Sequence, residues 1–357
     1  MKVELLSVIG LLLCLIIIGI EYIIHYRLAE RQDEHSIRER DMTWRMNLRV
    51  DAVLRAPTRA CLQSEIRALN EDIGEDYEAY ETAIGIMNQI REKRGGDKID
   101  KLIEAVKEEV KPVEIYSKML DEGNVYHKGY ALRRLADLGA VESTDTMIEY
   151  LNNKNRDLAY NAAMALVQFG DVENVAGYII AIQDDRQYSG RIINEFFDDF
   201  KGSRAELATR LFEQCNDYMK STIIKAIAPY KIEEFRPMYI EGIAGKNFGM
   251  KVACIKALAA FGDPEDEQLL QIAAQDKEWV IRAAAVRGLS LLHTKSALQT
   301  VKKALTDKEW WVRQTAAKAI TEMDISPRDL EDILGGYDRY AADAVKSVLY
   351  KKIDSLA

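Results

Sequence analysis

The residues able to support acid–base, nucleophilic or metal chemistry are few and widely spaced in this sequence. Its four cysteines and four histidines stand at none of the spacings that zinc ligands use, and no phosphate-binding GxxxxGK[ST] loop is present. No histidine has a serine, cysteine or aspartate at the spacing of a nucleophile motif. We therefore predict a protein that is not an enzyme, with no catalytic residue, no metal ligand and no cofactor-binding residue.

Adjacent acids occur twice, at Asp184-Asp185 and Asp198-Asp199. Neighbouring positions on a helix point about 100° apart, and adjacent acids of this kind are usually solvated rather than a catalytic pair. We interpret both pairs as solvated. The net charge of −9 is moderate and acidic, and no basic stripe is present, so the composition argues against a nucleic-acid-binding protein.

The most informative pattern is a repeated string: DKEWVIRAAAV at 276–286 returns as DKEWWVRQTAA at 307–317. The aspartate, the first tryptophan and the arginine each recur 31 positions later. These residues are Asp276, Trp279 and Arg282 in the first copy and Asp307, Trp310 and Arg313 in the second. A period of this length is typical of stacked helical repeats.

The same period continues through the C-terminal two-thirds of the chain. Apolar helical segments end at Gly139, Gly170 and Gly262, and weaker copies end near Lys201, Lys231, His293 and Asp324. Each unit predicts a first helix rich in small and apolar residues, a glycine that ends it in the left-handed conformation, and a capped second helix. The caps include Ser203, Asp263-Pro264 and Ser326-Pro327. We predict an all-α solenoid of about seven antiparallel helix pairs over 123–357.

These residues resemble the HEAT-repeat family, in particular the short alanine-rich bacterial type also found in phycobilin lyases. The resemblance rests on the turn aspartates, the Val/Ile-Arg pairs, the alanines that follow them and the helix-ending glycines. It departs from the pattern at 185–240, where large aromatics replace alanines. The resemblance implies a stack of helix pairs that contact only their neighbours and together form a long binding face. It also implies that Arg282 and Arg313 bind the turn aspartates of neighbouring repeats.

The tryptophans divide into two groups. Trp279 and Trp310 occupy equivalent repeat positions, so we interpret both as packing residues between helix pairs. Trp311 has no counterpart, because the equivalent position is Val280. Tryptophan is enriched at binding hot spots, and we therefore predict that Trp311 anchors a protein partner.

The N-terminus has a different composition. The twenty residues Leu5–Ile24 carry a single charge, Glu21, and are long enough as a helix to cross a bilayer. A cleavable signal peptide is the alternative, but no small-x-small cleavage site follows the apolar run. More Lys and Arg follow the segment than precede it. We therefore predict a transmembrane anchor at 1–26, with the N-terminus outside and the solenoid in the cytoplasm.

Between the two lies a helical region, 27–122, predicted to be a juxtamembrane or capping segment. It contains the acidic run Asn70–Glu81, which we interpret as a solvated face. Taken together, the sequence predicts a membrane-anchored cytoplasmic scaffold that binds a membrane-associated protein, with no small-molecule substrate. The resemblance suggests support of an envelope or polysaccharide-synthesis enzyme. The alternatives are a lyase or lyase subunit of the phycobilin-lyase type and a passive structural spacer.

Overall fold

The computed structural model describes residues 20–23, 26–27, 36–94, 97–185, 190–323, 325–336 and 338–354. All secondary structure in these ranges is helical, and no strand occurs among them. The chain divides into two compact units, Met1–Leu135 and Ala136–Ala357. The all-α repeat fold predicted from the 31-residue period is confirmed.

The first unit consists of helices of uneven length. Residues 20–23 and 26–27 are helical, and a helical segment at 36–55 is named α1. The others are α2 (Arg59–Ile73), α3 (Tyr77–Arg94), α4 (Asp97–Val110), α5 (Pro112–Glu122) and α6 (Val125–Asp137), of which α6 runs past the division between the units. The core of this unit includes the fully buried Met46, Val50, Leu69, Ala83 and Met87.

The structure corrects the prediction of a membrane anchor. No helix among the described residues is both long enough and apolar enough to cross a bilayer. The predictions of a transmembrane helix, a membrane localisation and a single-pass topology are therefore wrong. Of the segment between Leu5 and Ile24, only 20–23 belong to the described residues.

The second unit continues as alternating first and second helices. After α7 (Thr144–Leu151), the first helices are α8 (Arg156–Phe169), α10 (Gly190–Asp199), α12 (Asp217–Ile227), α14 (Phe248–Phe261), α16 (Trp279–Ser290), α18 (Trp310–Ile320) and α20 (Arg339–Asp354). The second helices are α9 (Val172–Ile182), α11 (Arg204–Gln214), α13 (Arg236–Ala244), α15 (Glu267–Ala273), α17 (Lys295–Ala304) and α19 (Pro327–Leu334).

Packing in the second unit follows the order of the repeats. Each first helix from α8 to α18 contacts the next first helix, and α13, α15, α17 and α19 each pack against the first helix that follows them. Small residues allow this close approach: Ala285, Ala316 and Ala317 are completely buried in α16 and α18. The core is therefore a continuous layer between successive repeats, as nearest-neighbour stacking requires.

Local signals set the helix boundaries. Asn155, Asn216 and Asn247 cap α8, α12 and α14 by accepting hydrogen bonds from backbone amides of the first turn. Ser203 and Ser326 do the same for α11 and α19. These caps satisfy amides that have no partner within the helix and repeat at the start of successive elements. As a result, the first helices begin at corresponding positions, which brings their N-termini to one edge of the unit.

Candidate protein-interaction surface

The turn aspartates and helix arginines of the repeated string form a ladder between repeats. Arg282 donates from Nε and Nη2 to the two carboxylate oxygens of Asp307, at 2.8 and 2.7 Å. Its Nη1 donates to the backbone carbonyls of Asp276 and Lys277, both at 2.9 Å. The guanidinium thus joins the turn before its own helix to the turn of the next repeat. This bidentate geometry is the strong form of a charged hydrogen bond.

The ladder continues to the preceding repeat, whereas the hydrogen bonds of Arg313 go to the turn of its own repeat. Lys251 donates to Asp276 at 2.9 Å, one repeat earlier. Arg313 donates to the carbonyls of Asp307 and Lys308 at 2.8 and 3.0 Å, and its guanidinium lies 5.2 Å from the ring centre of Tyr340. These contacts give Asp276, Arg282, Asp307 and Arg313 a structural task at the turns.

The charge state of the turn aspartates follows from these contacts. Burial raises the pKa of Asp307, but the hydrogen bonds from Arg282 and the Glu309 amide outweigh it, so the pKa lies below its usual value. The balance at Asp276 is the same. Burial raises its pKa, but the hydrogen bonds from the Glu278 amide and Lys251 have the larger combined effect, so the pKa lies below its usual value. Both carboxylates are therefore ionised at neutral pH and hold their partners in place.

The three tryptophans of the repeats form one exposed cluster. The rings of Trp279 and Trp311 lie 6.3 Å apart and are nearly parallel, with 21° between their planes. The rings of Trp310 and Trp311 lie 4.5 Å apart, edge to face. Solvent reaches 37% of Trp279, 50% of Trp310 and 57% of Trp311. Trp279 and Trp310, interpreted from the sequence as packing residues, are thus only partly enclosed and share a surface with Trp311.

Further aromatics occupy the same helix-start position in the flanking repeats. Phe248 is the first residue of α14, Tyr218 is the second residue of α12 and Tyr340 is the second residue of α20. All three are exposed. We call Tyr218, Phe248, Trp279, Trp310, Trp311 and Tyr340 the aromatic row. The 31-residue period could have found Phe248, because counting back one repeat from Trp279 leads to it.

Contacts join several of the helix starts that carry the row. Asn247, which caps α14, donates to Asp217 at the start of α12, at 2.9 Å. The stack of Trp279 on Trp311 joins α16 to α18, and Arg313 beside Tyr340 joins α18 to α20. The row therefore follows the N-terminal edge of α12, α14, α16, α18 and α20.

A concavity of about 670 Å³ adjoins the row between α14 and α16. Phe248 and Ile281 contribute apolar surface to it, and Lys246, Lys251 and Lys277 stand beside Asp276 and Glu278. Exposed lysines recur two residues before the helix start, at Lys246, Lys277 and Lys308. The aromatic surface thus has a rim of both charge signs, which is the arrangement typical of protein interfaces.

Other predicted positions lie away from this surface. Gly139, Gly170 and Gly262 have φ of +65°, +75° and +69° and end their helices. The aromatics of α10, Phe196 and Phe197, are completely buried. Among the described residues, no group of three or more His, Cys, Asp or Glu is arranged to hold a metal ion.

Comparisons with known proteins identify the repeat. Residues 266–351, which include α16 to α19 and the tryptophan cluster, match the family described as HEAT repeats. No curated protein matches the sequence.

The solved structures that align with this chain have low sequence identity and low TM-scores. An engineered protein has 13% identity and a TM-score of 0.34, over 86% of this chain and 94% of that one. Human deoxyhypusine hydroxylase has 12% identity and a TM-score of 0.30, over 79% and 96%. The complex of CpcE and CpcF of phycocyanin lyase from Nostoc sp. PCC7120 has 15% identity and a TM-score of 0.32, over 66% and 94%. At such values the likeness carries no conclusion about function. The match shows that residues 266–351 are similar to HEAT repeats.

Proposed function

We propose that this protein is an interaction scaffold that binds a partner protein along the aromatic row. The observation that carries the proposal is the contiguous exposed cluster of Trp279, Trp310 and Trp311. Tryptophan is strongly enriched among the few residues that carry most of the binding energy at protein interfaces. The proposed activity is binding, and no chemical step is assigned to the chain.

Leaving aromatic surface exposed to water costs free energy that a partner can recover. Each large aromatic side chain buries about 150–250 Å² when it is fully enclosed, and burial contributes roughly 25 cal/mol per Å². Trp310 and Trp311 leave about half of their surface in water, at the start of a helix whose other face is well packed. A partner that covers them recovers this free energy without any rearrangement of the repeat.

The partner's contact segment is proposed to be extended and rich in proline or other apolar residues. Within the row, the rings of Trp279 and Trp311 are nearly parallel, and those of Trp310 and Trp311 meet edge to face. Both ring faces and ring edges are therefore accessible along this side of the unit. Extended proline-rich segments dock on surfaces of this kind at low entropic cost. Lysines and acids on the rim would set the direction of the segment through charge complementarity.

The experiment compares three purified forms of the chain: wild type, the double variant Trp279→Ala/Trp311→Ala, and Tyr350→Ala. Tyr350 is equally exposed but lies late in α20, outside the row. Captured proteins are quantified by mass spectrometry, and the Kd of each enriched partner is then measured with purified components. Circular dichroism verifies that all three forms are folded.

We expect the double variant to bind a row-dependent partner at least about 30-fold more weakly, as hot-spot losses of about 2 kcal/mol imply. Tyr350→Ala should bind within about twofold of wild type. A partner whose Kd is unchanged in the double variant uses another surface, and finding only such partners refutes the proposal.

The finer functional predictions stay predictions of the family resemblance. Support of an envelope or polysaccharide-synthesis enzyme would require such an enzyme among the row-dependent partners. A lyase of the phycobilin-lyase type would require new visible absorbance after incubation with a bilin. A passive spacer would have no row-dependent partner at all.

A further inference from the structure

Four successive first helices of the second unit carry a basic residue at the same position. The ninth residue of α12, α14, α16 and α18 is Lys or Arg, and each recurs 31 positions after the one before it. All four residues are exposed. We call Lys225, Lys256, Arg287 and Lys318 the basic column.

Stacking of the helices turns this period of the sequence into a row on the surface. The helix α12 contacts α14, α14 contacts α16, and α16 contacts α18. Because packed helices lie about 8–10 Å apart, equivalent positions on neighbouring helices are separated by about the same distance. The linear sequence shows no basic stripe, since the members of the column are 31 positions apart and only the stack brings them side by side.

The titration of Lys225 supports this proximity independently. Partial burial is the main cause of its lowered pKa, and the positive charge of Lys256 lowers the pKa further. A like charge has such an effect only at short range. The ammonium groups of Lys225 and Lys256 therefore lie close together across α12 and α14.

The helices that carry the column are poor in acidic residues. The helices α14, α16 and α18 contain no aspartate and no glutamate. The acid of α12, Asp217, accepts a hydrogen bond from Asn247 at the start of the helix. In a chain with a net charge of −9, the column is therefore a local excess of positive charge.

Three members of the column are available to a partner. Within the part of the chain that the structure describes, Lys225, Lys256 and Lys318 form no ion pair with a carboxylate. Arg287 is paired with Glu322, which follows the end of α18. Both side chains of that pair are exposed, so the ion pair is weak and exchangeable.

The helix dipole explains only part of this pattern. Lys225, Arg287 and Lys318 lie in the last turn of their helices, where the dipole favours a positive charge. Lys256 lies before the last turn of α14, yet it keeps the repeat position of the other three. A role at the helix end therefore does not account for the column as a whole.

The sign and spacing of the column select the chemistry of a partner. An extended chain advances about 3.3 Å per residue, so three residues span about the distance between neighbouring helices. An acidic side chain at every third position therefore meets successive members of the column. Acid-rich segments are usually disordered because like charges repel, and they remain extended enough to follow such a row.

We propose that the basic column binds an extended acidic segment of a partner protein, with a carboxylate at about every third residue. The column lies two helical turns beyond the aromatic row on the same helices, since Lys318 follows Trp311 by seven positions. This second contact goes beyond the proposed function, because it uses charge rather than aromatic surface and requires no member of the row.

The test measures the affinity of the full-length protein for labelled peptides by fluorescence anisotropy at low salt. The probe has capped termini and four repeats of Glu-Gly-Ser, and it carries no aromatic or aliphatic side chain. A peptide with glutamine in place of glutamate is the neutral comparison, and an isomer with its four glutamates adjacent tests the spacing.

We expect the probe to bind at least about tenfold more tightly than the neutral peptide and about threefold more tightly than the isomer. The reason is that each exposed ion pair contributes at most about a fivefold gain, so several pairs must form together. Binding should be lost at about 1 M salt, where charges are screened beyond about 3 Å.

A variant of the column identifies the surface that binds the probe. Lys225→Gln/Lys256→Gln/Lys318→Gln removes the three unpaired charges and should weaken probe binding about tenfold. Circular dichroism verifies that the variant is folded. A role limited to the helix dipole would lower the stability of this variant and leave its affinity for the probe unchanged, which would overturn the proposal.

The matched control removes the same amount of charge from exposed lysines of the second unit outside the column. Lys154→Gln/Lys295→Gln/Lys303→Gln should change probe binding by less than about twofold, since screening limits the reach of distant charges. Conversely, Glu322→Gln releases Arg287 from its ion pair and should strengthen binding about twofold.

The double variant Trp279→Ala/Trp311→Ala separates this proposal from the aromatic row. It should bind the probe within about twofold of wild type even though its row is disrupted, so either proposal can fail without the other. Equal affinity for the acidic and neutral peptides overturns the proposal, and so does an equal loss in the column and control variants. Tighter binding of a single-stranded oligonucleotide with the same number of charges assigns the column to nucleic acid and overturns it as well.

Discussion

At the scale of single residues, the helix-ending position adopts the left-handed conformation in several repeats, including two in which the residue is not glycine. Gly262 has φ of +69° there, and the corresponding Lys231 and His293 have φ of 50° and 52°. Residues with a Cβ pay roughly 1–2 kcal/mol for this conformation. The turn between the helices of a pair is therefore imposed by packing, and two repeats tolerate local strain to maintain it.

The backbone strain at Lys231 and His293 predicts that glycine at either position would stabilise its repeat. Lys231→Gly and His293→Gly should each raise the free energy of unfolding by about 0.5 kcal/mol, after the extra flexibility of glycine in the unfolded chain is subtracted. Both side chains are exposed, so little packing is lost. Gly262→Ala should lower stability by about 1 kcal/mol. Urea denaturation measures all three, and a loss of stability in His293→Gly would contradict the explanation.

At the scale of elements, the contact between Arg282 and Asp307 ties the turn of one repeat to the helix of the one before it. Both side chains are largely buried, so breaking the pair leaves a guanidinium without its counter-ion. An exposed pair such as Arg339–Asp343 has no comparable cost. The ion pair therefore stabilises the contact between α16 and α18 in addition to their packing.

Asp307→Asn should lower the free energy of unfolding by about 2 kcal/mol, since charged hydrogen bonds contribute roughly 1.5–3 kcal/mol. Asp343→Asn is the matched control, with an expected change of less than about 0.5 kcal/mol. Chemical denaturation at neutral pH measures both. Equal effects of the two substitutions would show that the buried geometry adds nothing.

The same carboxylate gives an expected pH dependence. The folded-state pKa of Asp307 lies below its usual value, because Arg282 and the Glu309 amide outweigh the effect of burial. A depressed pKa contributes stability that is present above the unfolded pKa of about 3.9 and is lost as the pH falls through the folded value. The wild-type melting temperature should fall between about pH 5 and pH 2, and Asp307→Asn should show a flatter profile there. If the melting temperatures of wild type and Asp307→Asn changed in parallel with pH, this role of the Asp307 carboxylate would be contradicted.

At the scale of the molecule, the second unit is held by contacts between neighbouring repeats. Such an array is expected to lose stability locally, because each repeat is stabilised mainly by its neighbours. Ile320 in α18 and Ile193 in α10 are both buried and lie near opposite ends of the described repeats. They offer a matched pair of positions for testing this behaviour.

Ile320→Ala should cost about 2–5 kcal/mol and reduce hydrogen-exchange protection mainly in α16, α18 and α20. Ile193→Ala should reduce hydrogen-exchange protection mainly in α8, α10 and α12. Hydrogen exchange followed by mass spectrometry measures protection helix by helix. A uniform loss across the unit in either variant would show global cooperativity instead.

Much of the helical repeat could be predicted from the sequence because its signals are local. Caps such as Asn247 and Ser326 and the left-handed Gly170 and Gly262 act within a few residues. The 31-residue period also marks Trp311 as the place where two copies differ. The membrane anchor shows the limit of the same reasoning: hydropathy describes what a segment could do in a bilayer, and no membrane-spanning helix occurs among the described residues.

The sequence by itself determined the helices, their ends and the order in which they stack, because each depends on neighbouring residues or on one repeat length. Only the tertiary structure decided which surfaces those helices share. It placed the partly exposed ring of Trp279 against Trp311 of the next repeat, and it brought Tyr77 and Tyr130 together with Glu81 around a cavity. The physical reason is that side-chain exposure depends on contacts between residues far apart in the chain, which no local pattern encodes.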